Sequence, residues 1–233
     1  MSDDSHTLYA DGITATILAH GAELCSLRNE AGLELLWQAG PQWPRHAPLL
    51  FPVVGRLKND ELRHRGKTYP MTQHGFARDQ RFDWVERTPT SCALVLCDSA
   101  ATRARFPFAF RLAVSYAVQS ADLDITLEIT NTGREMLPAS VGGHPAFNWP
   151  LLPGMAKENY TLTFSDDEPA PIRRLKDGLL RQAGADTDPW QNAHAVGTAV
   201  RRRRGDSRWA LKPLGTLRGR QRPVAGNLLG KIS

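Results

Sequence analysis

The sequence predicts an all-β protein built as a sandwich of large antiparallel sheets. Three observations carry this reading. Short runs of β-branched or alternating apolar residues recur along the chain, turn-forming groups separate them, and no long stretch repeats at the 3.6-residue period of a helix. The runs are Ile13 to Leu18, Glu23 to Leu27, Leu33 to Trp37, Ala93 to Cys97, Phe110 to Val118 and Leu123 to Ile129. Asn29-Glu30-Ala31-Gly32, Gln119-Ser120-Ala121-Asp122 and Asn131-Thr132-Gly133 supply turns, because Asn, Asp and Ser bond their own backbone and Gly reaches positive φ. Asp122 to Thr130 alternates polar and apolar residues, which buries one face of the strand and wets the other.

Composition and charge divide the chain near Gln182. From Ala183 to Ser233 eight Arg and two Lys stand against three Asp and no Glu, whereas the preceding 182 residues hold 19 basic and 21 acidic side chains. All eight Phe and all four Tyr lie in the first part. We therefore expect a β-sandwich domain over 1–182, of a size that buries a substantial core, followed by an aberrant, disordered Arg-rich tail over 183–233. The polar start, Met1 to Asp11, carries no charged-then-apolar leader, and the longest apolar stretch, Ala47 to Gly55, is too short to span a bilayer. A cytoplasmic protein with no membrane partner is the expectation. Cys25, Cys92 and Cys97 lack metal-ligand spacing and read as reduced, packed thiols. His6, His20, His46, His64 and His194 show no paired spacing suited to zinc. Arg201 to Arg204 could neutralise phosphates, but no aromatics or recognition motif interleave them, so no nucleic acid partner is expected.

Two segments set a histidine among glycines, prolines and aromatics rather than on a charged, solvated face: His74-Gly75-Phe76-Ala77-Arg78 and Gly142-Gly143-His144-Pro145-Ala146-Phe147-Asn148-Trp149-Pro150. Such surroundings suit a shaped polar pocket around a group that titrates near neutrality. Buried structural histidines are the alternative reading, and Phe147 and Trp149 fit core packing better than a stacking platform for a ligand.

Five ordered motifs carry a resemblance to a known family: Pro48 to Leu57 (PLLFPVVGRL), Gly66 to Met71 (GKTYPM), His74 to Asp79 (HGFARD), Phe106-Pro107-Phe108, and Gly143 to Phe147 (GHPAF). From about Tyr9 to about Leu180 the chain resembles the aldose 1-epimerase, or galactose mutarotase-like, family. The resemblance implies a β-supersandwich and an isomerase of carbohydrate metabolism that interconverts the α and β anomers of an aldose with no metal or organic cofactor. It also implies a small-molecule sugar or sugar phosphate as partner. In that chemistry a base takes the C1 hydroxyl proton while an acid protonates the ring oxygen, the ring opens, and closure follows on the other face. Groups with pKa values near working pH serve such transfers best. By this likeness His144 would be the acid at the ring oxygen and His74 would polarise or hydrogen-bond the same region. Arg56 would hold sugar hydroxyls through its fork of donors, and Arg78 resembles the branch that handles hexose 6-phosphates, where a second guanidinium meets an anion.

The pattern departs from the family where the general base, a glutamate near the C-terminus, should stand. After Arg181 there is no Glu, and Asp186, Asp188 and Asp206 lie in unmatched contexts. A tail read one nucleotide out of frame accounts for this: back-translating Val200 to Asp206 and reading from the next nucleotide permits Phe-Ala-Asp-Asp-Ala-Val-Ile, and Arg220 to Leu229 permits Gly-Pro-Trp-Leu-Glu-Ile-Ser-Trp in the same register. Such a shift, placed near Arg181 to Asp188, predicts impaired activity, unpaired sheet edges and a tendency to aggregate. A non-catalytic carbohydrate-binding β-sandwich module is the alternative function.

Overall fold

The computed structural model describes residues 4–162, 175–180, 200–202, 208–211 and 217–219. The first sheet holds β1 (Ser5–Ala10), β2 (Ile13–Leu18) and β3 (Leu24–Asn29) in the order β1-β2-β3, every pair antiparallel. Ile13, Ala15 and Ile17 point into the core while the residues between them do not, as the alternation of β2 requires. Two short pairs follow. β4 (Leu49–Leu50) waits for a partner from far along the chain, and β5 (Glu61–His64) pairs with β6 (Lys67–Pro70) through Arg65-Gly66. Both turn residues have positive φ, 49° and 75°, the twist that a two-residue hairpin favours.

The second sheet is the larger. β7 (Asp83–Arg87), β8 (Ser91–Cys97), β9 (Phe110–Gln119) and β10 (Asp122–Asn131) lie in sequence order, joined antiparallel. Phe110, Leu112, Val114, Tyr116 and Val118 form the buried face of β9. They join the inner faces of β1 to β3 in one core cluster. The single α-helix among the described residues, α1 (Ala100–Arg103), is one turn held by a reciprocal Ser99–Thr102 capping box. β11 (Gly142–Gly143) returns to pair with β4.

Beyond this point β12 (Tyr160–Leu162), a hairpin of β13 (Leu175–Lys176) and β14 (Leu179–Leu180), β15 (Val200–Arg202), β16 (Arg208–Leu211) and β17 (Leu217–Gly219) are described. β16 extends the large sheet by pairing with β10 and carries β15 outside it, and β17 pairs with β12. Three short backbone segments of the Arg-rich tail are therefore strands, and the remainder of the disorder expected over 183–233 lies outside the described residues.

The all-β, antiparallel architecture matches the sequence reading, with one correction. Leu33 to Trp37 is not a strand of a sheet. It makes single bridges, Glu34 with Arg28 and Leu36 with Phe147, and its amides alternate partners, Leu35 donating to Leu27 O (2.8 Å) and Trp37 to Ala146 O (2.8 Å). It is a tie between two neighbours. β1, the β5–β6 hairpin and β7 gave no sequence signal because their residues are largely polar and half exposed, so pairing rather than burial defines them.

Candidate functional site

The His74 segment is seated on a cluster of buried aromatics. Phe51, Phe76, Phe106 and Phe110 are fully buried, with the Phe51 and Phe110 ring centroids 5.0 Å apart. The Phe51 carbonyl accepts from the amides of both Phe76 (2.9 Å) and Ala77 (3.1 Å), which pins the chain just after the histidine. That approach admits only glycine at 75, since a Cβ there would lie 2.2 Å from Phe51 O, and φ is +74°. His74 itself sits at φ +67°, a conformation uncommon for a residue with a Cβ, and its amide donates to Gly55 O (2.8 Å). A strained backbone held by its surroundings is characteristic of functional segments.

The second histidine arrives by strand pairing. Gly143 and Gly142 pair with Leu49 and Leu50, then the His144 amide donates to Pro48 O (3.0 Å) and the Ala146 amide to His46 O (2.9 Å). Asn148 completes the seam: its amide donates to Leu35 O (2.8 Å) and its carboxamide to the carbonyls of Glu34 (3.0 Å) and Leu36 (2.9 Å). The outcome is that His74 and His144, seventy positions apart, face one another with ring centroids 6.0 Å apart. Trp43 also lies against His144, ring centroids 5.4 Å apart.

The hydrogen bonds of His74 fix its tautomer. The Gly55 amide donates to Nδ1 (3.0 Å), so Nδ1 must offer a lone pair and the neutral ring carries its proton on Nε2. Nε2 lies 3.3 Å from Nε2 of Gln73, a donor, so a ring proton there is accepted by Gln73 only if the carboxamide turns over to present its oxygen. Partial burial, then the cationic Arg78, then His144, hold the His74 pKa below its ordinary value. The shift favours the uncharged ring, and the Gly55 amide at Nδ1 favours its proton on Nε2.

Arg78 lies on the one-turn 3-10 helix Ala77–Asp79 behind His74. Its Nη2 donates to Gln73 O (2.8 Å), and its Nε is buried without a hydrogen-bond partner among the described residues. Burial and then Arg45 lower its pKa, opposed by Asp79 and Glu23. Arg56 adjoins Gly55, but its fork is engaged: Nε and Nη2 donate to the two oxygens of Asp60, at 2.7 and 2.6 Å. Of the four residues singled out from the sequence, the structure brings the two histidine rings together, ties Arg78 to the carbonyl just before His74, and leaves Arg56 paired with Asp60. Phe147 packs against the core, and Trp149 lies against Tyr160 in a tilted contact with ring centroids 5.7 Å apart.

Sequence reasoning missed Trp43, Gln73 and Glu23. Trp43 stands between prolines at 41 and 44, a setting that marks a loop without saying what it faces. Gln73 has no signal beyond adjacency to His74. Glu23 shows in the sequence only as the first residue of the run Glu23 to Leu27, yet it is only 7% exposed and takes two backbone amides on one oxygen.

Comparison with known proteins bears out the all-β fold and gives its family. Residues 4–216 match the aldose 1-epimerase family model, and the chain belongs to that family. The match extends past Leu180, where the motif resemblance ended. Protein LacX of Lactococcus lactis subsp. lactis is 34% identical over 177 residues, covering 72% of this chain and 59% of the relative. The crystal structure of a galactose mutarotase related enzyme from Lactobacillus acidophilus superposes with a TM-score of 0.72 at 39% identity, covering 76% of this chain and 59% of that one. A galactose mutarotase-like protein from Lactobacillus casei gives a TM-score of 0.66 at 36% identity, over 75% and 60%. The chain spans about three fifths of the length of these relatives. No helix among the described residues is long and apolar enough to cross a membrane.

Proposed function

We propose that this chain holds the acid half of an aldose mutarotation site. The observation that carries the reading is the approach of His74 and His144, two imidazoles set on strained or strand-locked backbone beside Trp43. In this reading His144 delivers a proton to the ring oxygen of the bound aldose, and His74 donates its Nε2–H to the same region without itself cycling through the charged form. Arg78 and Arg56 bind the sugar or its phosphate, Arg56 by exchanging Asp60 for substrate oxygens. Family membership and the cationic surroundings of His74 support these roles.

The base is the missing element. Among the described residues, the charged groups that shift His74 are Arg78 and His144. With the late glutamate lost to a shifted reading frame, this chain should turn over far more slowly than a complete site, since one positioned proton acceptor contributes about 100- to 10,000-fold. The same observation favours a second reading, a module that binds a sugar without accelerating its anomerisation.

Polarimetric mutarotation of α-D-glucose, α-D-galactose and glucose 6-phosphate tests both, with the chain as it stands compared to a version whose frame is restored after Arg181. Activity confined to the restored protein and lost on His144→Ala is the expected result. Equal rates in both would mean that another residue is the base and that the frame is intact; sugar binding without rate acceleration in either would leave the binding module. The coding DNA gives an independent check, because codons in the Arg201 to Arg204 run that forbid the alternate reading remove the frameshift.

A further inference from the structure

Glu23 is the one buried charged side chain among the described residues, and the site proposed above gives it no part. A carboxylate is taken out of water only where hydrogen bonds replace its hydration. Here one oxygen, Oε1, accepts from two successive amides, His46 (2.8 Å) and Ala47 (2.9 Å).

The residue is mounted firmly. Its own carbonyl accepts from the Leu18 amide (2.9 Å) in the first sheet, and the carbonyl of Ala22 just before it accepts from the hydroxyl of the fully buried Tyr116 (2.7 Å) in the second. Glu23 therefore projects from a point tied to both layers of the sandwich. What it grips is the segment that carries the site: His46 O receives the Ala146 amide and Pro48 O the His144 amide, and Trp43 stands three residues before His46. Only the backbone of 46–48 separates the carboxylate from the backbone of His144.

We propose that Glu23 is a positioning residue for His144: its carboxylate fixes residues 46–48, and through them holds the His144 imidazole against Trp43. Residues 41–48 contain prolines at 41, 44 and 48 and form no strand before β4, so the sheet supplies little of this order. A carboxylate bonding two neighbouring amides does so with charge-assisted strength. That His144 is the acid rests on the function proposed above, whereas its seating by Glu23 can hold or fail separately.

The test uses isotope-labelled full-length chain and NMR rather than turnover, so a missing base cannot mask the result. In the unmodified chain, couplings across the hydrogen bonds should link the Glu23 carboxylate carbon to the His46 and Ala47 amide nitrogens, and the Trp43 indole and His144 ring should show a cross-relaxation peak. Glu23→Gln retains an acceptor oxygen and should keep that peak. Glu23→Ala should abolish it and speed amide exchange at His46, Ala47, His144 and Ala146 by about tenfold or more, with less than about threefold change at Val114 and Leu127 in β9 and β10. Absence of the couplings, survival of the Trp43–His144 peak in Glu23→Ala, or acceleration spread evenly over β9 and β10 would overturn the proposal. Should Glu23→Ala fail to fold, Glu23→Asp, one methylene shorter, takes its place with the same readouts. Failure of the frame-restored chain to accelerate mutarotation, with the couplings intact, would overturn the functional reading and leave this one standing.

Discussion

β9 and the segment from Thr72 to Arg78 show two ways of fixing a chain. In β9 five alternate side chains enter the core and ladder bonds to β8 and β10 repeat on both sides, so each residue does what its neighbour two positions away does. Between Thr72 and Arg78 nothing repeats. His74 and Gly75 take positive φ, Phe76 returns to −132°, and the order comes from single contacts: Thr72 Oγ1 to Gly75 O (2.8 Å), Gly55 to His74, and Phe51 O to Phe76 and Ala77. The sheet spreads its stability over many equivalent contacts, while the site segment concentrates it in a few that have no substitute.

The comparison is broken most severely at Gly75. Gly75→Ala drives a Cβ into the Phe51 carbonyl and should cost about 4 kcal/mol or more, read as a collapse of the denaturant midpoint with loss of the His74–His144 contact. Leu112→Ala in β9 should cost about 3 kcal/mol by opening a cavity, yet leave the imidazole signals of both histidines in place. Gly66→Ala sharpens the contrast: φ is +75°, nearly that of Gly75, but nothing lies within 4 Å, so only the left-handed backbone penalty of about 1 kcal/mol should appear.

Two smaller effects concern charge. His74 has a depressed native pKa, so as pH falls below its ordinary value of 6.5 the unfolded chain takes up a proton that the native ring refuses. Stability should therefore decline on acidification from about pH 7 toward the lower native value, and His74→Gln should flatten that slope in urea titrations at successive pH values. Asp60→Asn should leave the unfolding midpoint where it is, because its partnership with Arg56 is exposed at the surface. Its expected consequence is a freed Arg56 fork, seen as tighter sugar phosphate binding by calorimetry; unchanged binding would exclude Arg56 from the proposed subsite.

Legibility followed the same division. Ile13–Leu18 was read with its observed bounds, and the strands near 91–97, 110–119 and 122–131 were found to within a few residues, because burial on one face imposes a period of two on the residues themselves. Leu33 to Trp37 has the composition of a strand but serves as a tie, and composition does not record which neighbour each amide will meet. His74 and His144 were conspicuous through their glycine, proline and aromatic surroundings. Glu23, Gln73 and Trp43 were not, since each matters only through what it touches after folding.

The sequence by itself determined the all-β class, the main strands, the family motifs and the two histidines, for these rest on local periodicity and on residue types that only certain backbones accept. Tertiary structure decided that the rings of His74 and His144 lie 6.0 Å apart, that a backbone amide holds His74 in its Nε2–H form, and that the Arg56 fork is turned to Asp60. Those depend on pairing between β4 and β11 and on an aromatic cluster assembled from separate strands and loops, which brings together residues whose separation along the chain carries no record of their contact.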